Sequence, residues 1–401
     1  MAVGSQKAVF LLQTDPYLPK PVLRALREAE SLTRAGWDVS FVSWIKGTDA
    51  PPGQDSRAYP VRRLAMPVPP IGTSMNQRRR AYDRATVALR DAVLAEGPDL
   101  VIVHDFEVLR AGASVRRRAR TRLFYDSHED YPSIARRNSR VEGWIAARLE
   151  RQFCRFVDHV FTVSGPIADK FSAWGRPTTV LYNARPSSEI GSADREVSRR
   201  ALGFSPGDFV IGFAGALERD RGLDVILEAL SLLSQPFKAL FVGGPDSEVA
   251  RLRSEAEALR LTGRVRIDPY RPYPQLEPYY AAMDVGAMFL EKRSAAGRID
   301  LQIAGNLPNK VFDYMARGIP LIVPQYTAMR TLVDSIGAGT AVRRVDPPIV
   351  SAALVRLQEG RAALAEMGEK GRVAFRTSYA WEHQARKFLR IVSGDEPAER
   401  T

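Results

Sequence analysis

Short apolar runs alternate with helix-patterned segments from one end of the chain to the other, the pattern of β-α units laid around parallel sheets. The first series contains AVFLLQ (8–13), the amphipathic segment PVLRALREAESLTRAG (21–36), DVSFVSW (38–44), DLVIVHD (99–105), RLFYDSHE (122–129), HVFTVS (159–164) and TTVLYN (178–183). A polar stretch, RPSSEIGSADREVSRR (185–200), separates it from a second series: DFVIGFAG (208–215), LDVILEALSLL (223–233), KALFVGG (238–244), VRID (265–268), VGAMFLE (285–291), IPLIVP (319–324) and TAVRR (340–344). The pattern predicts an α/β protein of two Rossmann-like β/α/β domains, residues 1–184 and 201–380, joined by a linker at 185–200. The last amphipathic segment, WEHQARKFLRIV (381–392), lies beyond the second series, and residues 381–401 are expected to pack back on the first domain.

Composition supports a two-domain globular chain. Its 401 residues exceed what one core holds, and 45% are apolar against 26% charged. No run approaches the roughly 20 apolar residues of a membrane span, and Thr14-Asp15-Pro16 interrupts the first apolar run too early for a signal peptide, so a cytoplasmic protein is expected. The single cysteine, Cys154 in RQFCRFV, excludes an internal disulfide framework and reads as a core residue. Residues 1–183 hold 28 Lys+Arg against 19 Asp+Glu, so most of the +12 net charge is N-terminal. Clusters such as QRRRAYDR (77–84) and RRRARTR (116–122) fit anionic lipid or a phosphorylated substrate, or else a solvated arginine-rich surface. Nucleic acid is disfavoured, because zinc-finger spacing, an aromatic-basic RNP-like strand and a basic coiled coil are all missing.

In parallel sheets ligands sit beyond the carboxyl ends of the strands, so the residues after each apolar run carry the information. After the strand DFVIGFAG come Gly215 and a loop ending in Arg221-Gly222 before a helix; the spacing is not the G-x-G-x-x-G of a dinucleotide site. A guanidinium beside a helix N-terminus suits a diphosphate, and a surface arginine on a tight turn is the competing reading. In NLPNKVFDYMARGIP (306–320), Asn309 can cap a helix running from Lys310 to about Arg317, and Gly318 followed by Pro320 stops it. Val311, Phe312, Met315 and Ala316 would form its buried face, leaving Lys310 for a phosphate and Asp313 for two vicinal hydroxyls, or for a surface pair with Arg317. In the first half, Asp126, Ser127, His128, Glu129 and Asp130 end one strand and His104-Asp105 another. A histidine there suits hydrogen bonding at a reacting centre; the set lacks H-x-x-x-H or D-x-D spacing, so no metal site is expected. His159 and His383 read as structural.

Taken together these stretches resemble the family 4 retaining nucleotide-sugar glycosyltransferases of the GT-B fold, in which two Rossmann-like domains face each other across a cleft. LREAESLTRAGWDVSFVS, PDLVIVHDFEVL and LFYDSHE are similar to that family's first helix and two strand ends, and FAGALERDRGLDVILEAL, ALFVGG, YYAAMDVGAMFLE and NLPNKVFDYMARGIPLIVP to its donor-binding half, in an LPNK-type variant. The resemblance implies that Arg221, with Gly215, Lys310 and the amides of Asn306 and Leu307, holds the donor diphosphate, that Asp313 binds the ribose, and that His128 is catalytic beside the anomeric centre. The first acid of the family's E-x7-E motif falls at Gly305, so Asn306 or Glu291 would hold the sugar; Ala216 replaces a frequent arginine; and Thr14-Asp15-Pro16 replaces a glycine pair. His104, Asp105 and Glu129 would lie on the acceptor side. The implied reaction moves a sugar from a nucleoside diphosphate sugar to a hydroxyl, with retention and without metal or cofactor, in cell-envelope polysaccharide, glycolipid or glycoside synthesis. A lipid-linked acceptor at the inner face of the membrane would suit the basic first half. The rivals are a same-fold nucleotide-sugar 2-epimerase, a weakly catalytic nucleotide-sugar-binding protein and, disfavoured by the glycine spacing, a dehydrogenase.

Overall fold

In the computed structural model, which describes residues 5–18, 21–46, 58–68, 73–289, 305 and 307–395, the chain forms two units, residues 1–181 with 384–401 and residues 182–383. Each is built on a wholly parallel sheet.

In the first unit seven strands, β1 (Lys7–Leu12), β2 (Asp38–Ile45), β3 (Val61–Ala65), β4 (Leu100–His104), β5 (Arg122–Ser127), β6 (His159–Thr162) and β7 (Thr178–Val180), lie in the order β3-β2-β1-β4-β5-β6-β7. The central strands are near-continuous apolar runs because helices cover both faces of the sheet, leaving no solvent side for polar residues. Those helices are α1 (Leu23–Arg34), α2 (Met75–Glu96), α3 (Phe106–Arg116), α4 (Tyr131–Asn138), α5 (Arg140–Cys154) and α6 (Gly165–Ser172). Cys154 is buried in this core. Strand order reverses between β1 and β4, so their carboxyl ends mark the crevice where a ligand is expected.

The second unit repeats the plan. It contains α7 (Arg195–Ala201), β8 (Phe209–Ala214), α8 (Leu223–Ser231), β9 (Phe237–Val242), α9 (Asp246–Ala258), β10 (Val265–Asp268), α10 (Glu277–Ala282), β11 (Val285–Ala287), α11 (Asn309–Ala316), β12 (Leu321–Pro324), α12 (Ala328–Ile336), β13 (Gly339–Val342), α13 (Pro347–Glu359) and α14 (Arg361–Ala374). The strands lie in the order β10-β9-β8-β11-β12-β13, with the reversal between β8 and β11. A last helix, α15 (Trp381–Ser393), begins in the second unit, and from Gln384 onward it belongs to the first, where Phe388 packs against Phe161 and the Val392 carbonyl accepts from Arg122.

Residues 185–200 differ from the linker read in the sequence. They belong to the second unit: Arg195 donates to the carbonyls of Ala281 and Met283 and to Asp284, and the buried Arg199 binds Asp284 and three backbone carbonyls. Two of the arginines in this polar stretch, Arg195 and Arg199, are the groups that fasten it.

Candidate functional site

At the carboxyl end of β8 the chain turns through Gly215 with φ +149°. Lys310 explains the glycine, since a Cβ at Gly215 would stand 1.6 Å from the lysine Cε. The half-buried ammonium lies 5.7 Å from the Phe213 ring centroid, and burial together with the Arg221 charge lowers its pKa. Arg221 comes from a short 3-10 turn ahead of α8; Nη2 donates to Glu218 at 2.5 Å and Nε stands 3.5 Å from Asp220. Two cations thus approach one another at the crevice of the second sheet.

The start of α11 differs from expectation. Pro308, extended at φ −63° and ψ 147°, occupies the cap position, while Asn309 is the exposed first helical residue and its side chain makes no cap. Pro308 sets the entry angle without it, and Gly318 at φ +68° ends the segment as read. The Tyr314 hydroxyl accepts from the Ala214 amide at 3.0 Å, tying the helix to β8. Asp313 does not project away from the buried face but is itself 6% exposed. Its Oδ1 accepts from Arg185 Nε at 3.2 Å and from the Tyr273 hydroxyl at 3.1 Å, and the Arg185 guanidinium carbon lies over the Tyr273 ring, 3.1 Å from its centroid. The pair with Arg317 is not a surface one: both side chains are largely buried, Nη1 forms a long ion pair with Oδ1 at 3.9 Å and donates to the Asp313 carbonyl, and the guanidinium pairs more closely with Glu277. Burial raises the Asp313 carboxyl despite Arg185 and Arg317. Oδ2 has no hydrogen bond to the described residues and stays open to a ligand. Leu307 is buried beside this helix, Gly305 is a buried turn residue, and Asn306 and Glu291 lie outside the described residues.

In the first unit His128 follows β5. Its Nε2 is 3.0 Å from His104 Nδ1 and 3.4 Å from Asp126 Oδ2, and its Nδ1 is 4.0 Å from Asp105 Oδ2. Burial opposes its charge, but Asp105 and Asp126 outweigh this and push its pKa up to about 9. His104, buried against Asp126 and Glu28, is lowered to about 3, mainly by burial. His104, read as an acceptor-side residue, is buried behind His128 and does not line the cavity beside it. Asp105, by contrast, lines a cavity of about 360 Å³ with Gln13, Phe106, His128, Glu129 and Tyr131. Asp105 adopts φ 67° and ψ 163°, a region open essentially to glycine alone, at a cost of about 1–3 kcal/mol. Sequence reasoning missed Arg24 and Glu28 of α1. Arg24 Nε donates to Glu28 Oε1 at 2.5 Å, Nη2 to Asp126 Oδ1 at 3.2 Å and Nη1 to the Leu181 carbonyl at 2.8 Å, all fully buried. Burial and the neighbouring Asp126 raise the Glu28 carboxyl well above its usual range, whereas Arg24 and His128 overcome burial to hold Asp126 well below it. The signal was present: positions 24 and 28 share the inward stripe of α1 with Ala25, Ala29 and Leu32. His159, bonded to Thr179, and His383, bonded to the Arg376 carbonyl, stand apart from this cluster.

Comparison with known proteins agrees with this architecture. Residues 21–184 match the glycosyl transferase 4-like domain and residues 208–359 the glycosyl transferases group 1 domain, between them most of the chain, which belongs to this two-domain glycosyltransferase family. Among curated proteins it is similar to a D-inositol 3-phosphate glycosyltransferase of Corynebacterium urealyticum, 30% identical over 51% of this chain and 49% of that protein; the chain thus matches about half the length of that relative. Among solved structures it is similar to sucrose-phosphate synthase from Thermosynechococcus elongatus (TM-score 0.77, 16% identity, 97% of this chain and 98% of that one). It is also similar to Anabaena Alr3699/HepE in complex with UDP and glucose (TM-score 0.70, 17% identity, 96% and 99%). The fold is GT-B.

Proposed function

We propose that the chain transfers a sugar from a nucleoside diphosphate sugar to a hydroxyl acceptor, with retention at the anomeric carbon. The observation that carries this reading is Lys310, seated over Gly215 beside Arg221: burial and like charge disfavour its ammonium, and a diphosphate would relieve both. As the leaving diphosphate gains charge, Lys310 and Arg221 stabilise it without a metal. Asp313 Oδ2 takes the ribose hydroxyls, and His128 orients the donor sugar. The binding of UDP and glucose by Alr3699/HepE makes UDP the first donor nucleotide to test, and the inositol phosphate glycosyltransferases favour a polyol or phosphorylated acceptor.

Contact with an anionic membrane is part of this proposal. No helix among the described residues is long and apolar enough to cross a membrane. However, α5 exposes Val141 and Trp144, each 63% accessible, beside the exposed Arg136, Arg137, Arg140, Arg148 and Arg151 of α4 and α5. An exposed indole with the Arg148 guanidinium 5.9 Å from its ring centroid, on an arginine-rich helix pair, is the composition of an interfacial lipid contact and fits a cytoplasmic enzyme with a lipid-linked acceptor.

Thermal melts with UDP, GDP and ADP, followed by incubation with the matching labelled sugars and polyol acceptors, test the reading. Stabilisation by one diphosphate and transfer of its sugar are expected; stabilisation without transfer or hydrolysis would leave only a binding protein.

A further inference from the structure

We propose that His104, Asp126 and His128 form a three-ligand site for a divalent transition metal of the zinc, cobalt or nickel class, and that filling it withdraws His128 from the donor sugar. The three donor atoms already stand at a metal's spacing. His104 Nδ1 and His128 Nε2 are 3.0 Å apart, His128 Nε2 and Asp126 Oδ2 3.4 Å, and His104 Nδ1 and Asp126 Oδ2 3.8 Å. Four-coordinate zinc with bonds of about 2.0–2.1 Å places its ligands about 3.3 Å apart, so shifts of a few tenths of an ångström close the site.

The surroundings supply the second requirement. Each imidazole turns its other nitrogen toward a carboxylate, His104 Nε2 toward Glu28 Oε2 at 3.5 Å and His128 Nδ1 toward Asp105 Oδ2 at 4.0 Å, the arrangement that fixes metal-bound histidines. Asp126 Oδ2, His104 Nε2 and Glu28 Oε2 are buried atoms with no hydrogen-bond partner. Asp126 Oδ2 is already ion-paired with Arg24 Nε at 2.9 Å, so an ion bound here shares this carboxylate with the guanidinium. A cavity of about 360 Å³ adjoins His128, the least buried of the three ligands.

Metal uptake does not depend on the proposed function; its consequence for turnover rests on the role given to His128 there. The chelator-treated full chain should take up one equivalent of Co2+ with the visible bands of a four-coordinate ion, and Zn2+ should displace it. His128→Gln, at a partly exposed position, and His104→Ala should each weaken uptake at least about tenfold, and Glu28→Gln by about 10–100-fold. Failure of the wild-type chain to bind Co2+, or undiminished binding by His128→Gln, would overturn the site. Stoichiometric Zn2+ should stop sugar transfer and EDTA restore it; transfer unaffected by bound zinc would overturn the inhibitory role. A chain that binds Co2+ yet neither binds nor turns over any nucleotide sugar would sink the transferase reading and leave the metal site standing.

Discussion

Four side chains concentrate the chemistry. Lys310 has a folded-state pKa below the usual 10.5 because it is buried and faces Arg221. The cost of its charge is therefore present below that lowered pKa and fades as pH rises toward 10.5, while diphosphate binding needs the charged form. UDP should thus stabilise the protein less as pH climbs through the Lys310 titration, and Lys310→Met should abolish both the stabilisation and its slope in melts across pH 7–10. Asp313→Ala should weaken UDP and UDP-sugar alike, since Oδ2 is its open acceptor, whereas His128→Ala should lower kcat with the UDP Kd less changed; equal, small effects would refute both roles. Asp105 holds strain that glycine would relieve. Asp105→Gly should raise stability by about 1 kcal/mol, once glycine's larger unfolded-state freedom is deducted, while turnover falls; a lower melting temperature would show that the carboxylate's contacts outweigh its backbone strain.

At the scale of elements, legibility followed solvent exposure. The central strands were readable because both faces are buried and apolar residues run unbroken, whereas β3, an edge strand reading VRRLA with Arg62 exposed and Arg63 paired with Asp15, gave no such run. Likewise Asp313 was read as an outward position because helical periodicity cannot reveal that Arg185, 128 residues away, meets it. Arg24 and Glu28 were lost for a related reason: a charged pair on the inner stripe of α1 is sensible only once the order β1-β4-β5 brings Asp126 to it. The α4–α5 pair carries its own test. Trp144→Ala combined with Arg148→Gln should reduce retention on anionic vesicles at low salt while leaving UDP stabilisation intact; unchanged retention would move the membrane contact elsewhere.

For the whole molecule, the donor assignment confines UDP to the second unit. Hydrogen exchange with UDP present should slow amides at 214–223 and 307–318 and leave 99–130 unaltered; protection that appears only in the first unit would reverse the assignment. Ligand at about 100 times its Kd adds about 2.7 kcal/mol, enough to read in the protected amides. The path of the chain has a consequence for its synthesis. Residues 182–383 interrupt the first unit, whose core includes Phe388, Ile391 and Val392 of the last helix. On the ribosome the second unit can mature once residues up to 383 have emerged, while the half made first must wait, with an apolar flank uncovered, for a helix made after the whole of the second unit. Ribosome-bound chains stalled soon after His383 should therefore be the ones most in need of a chaperone.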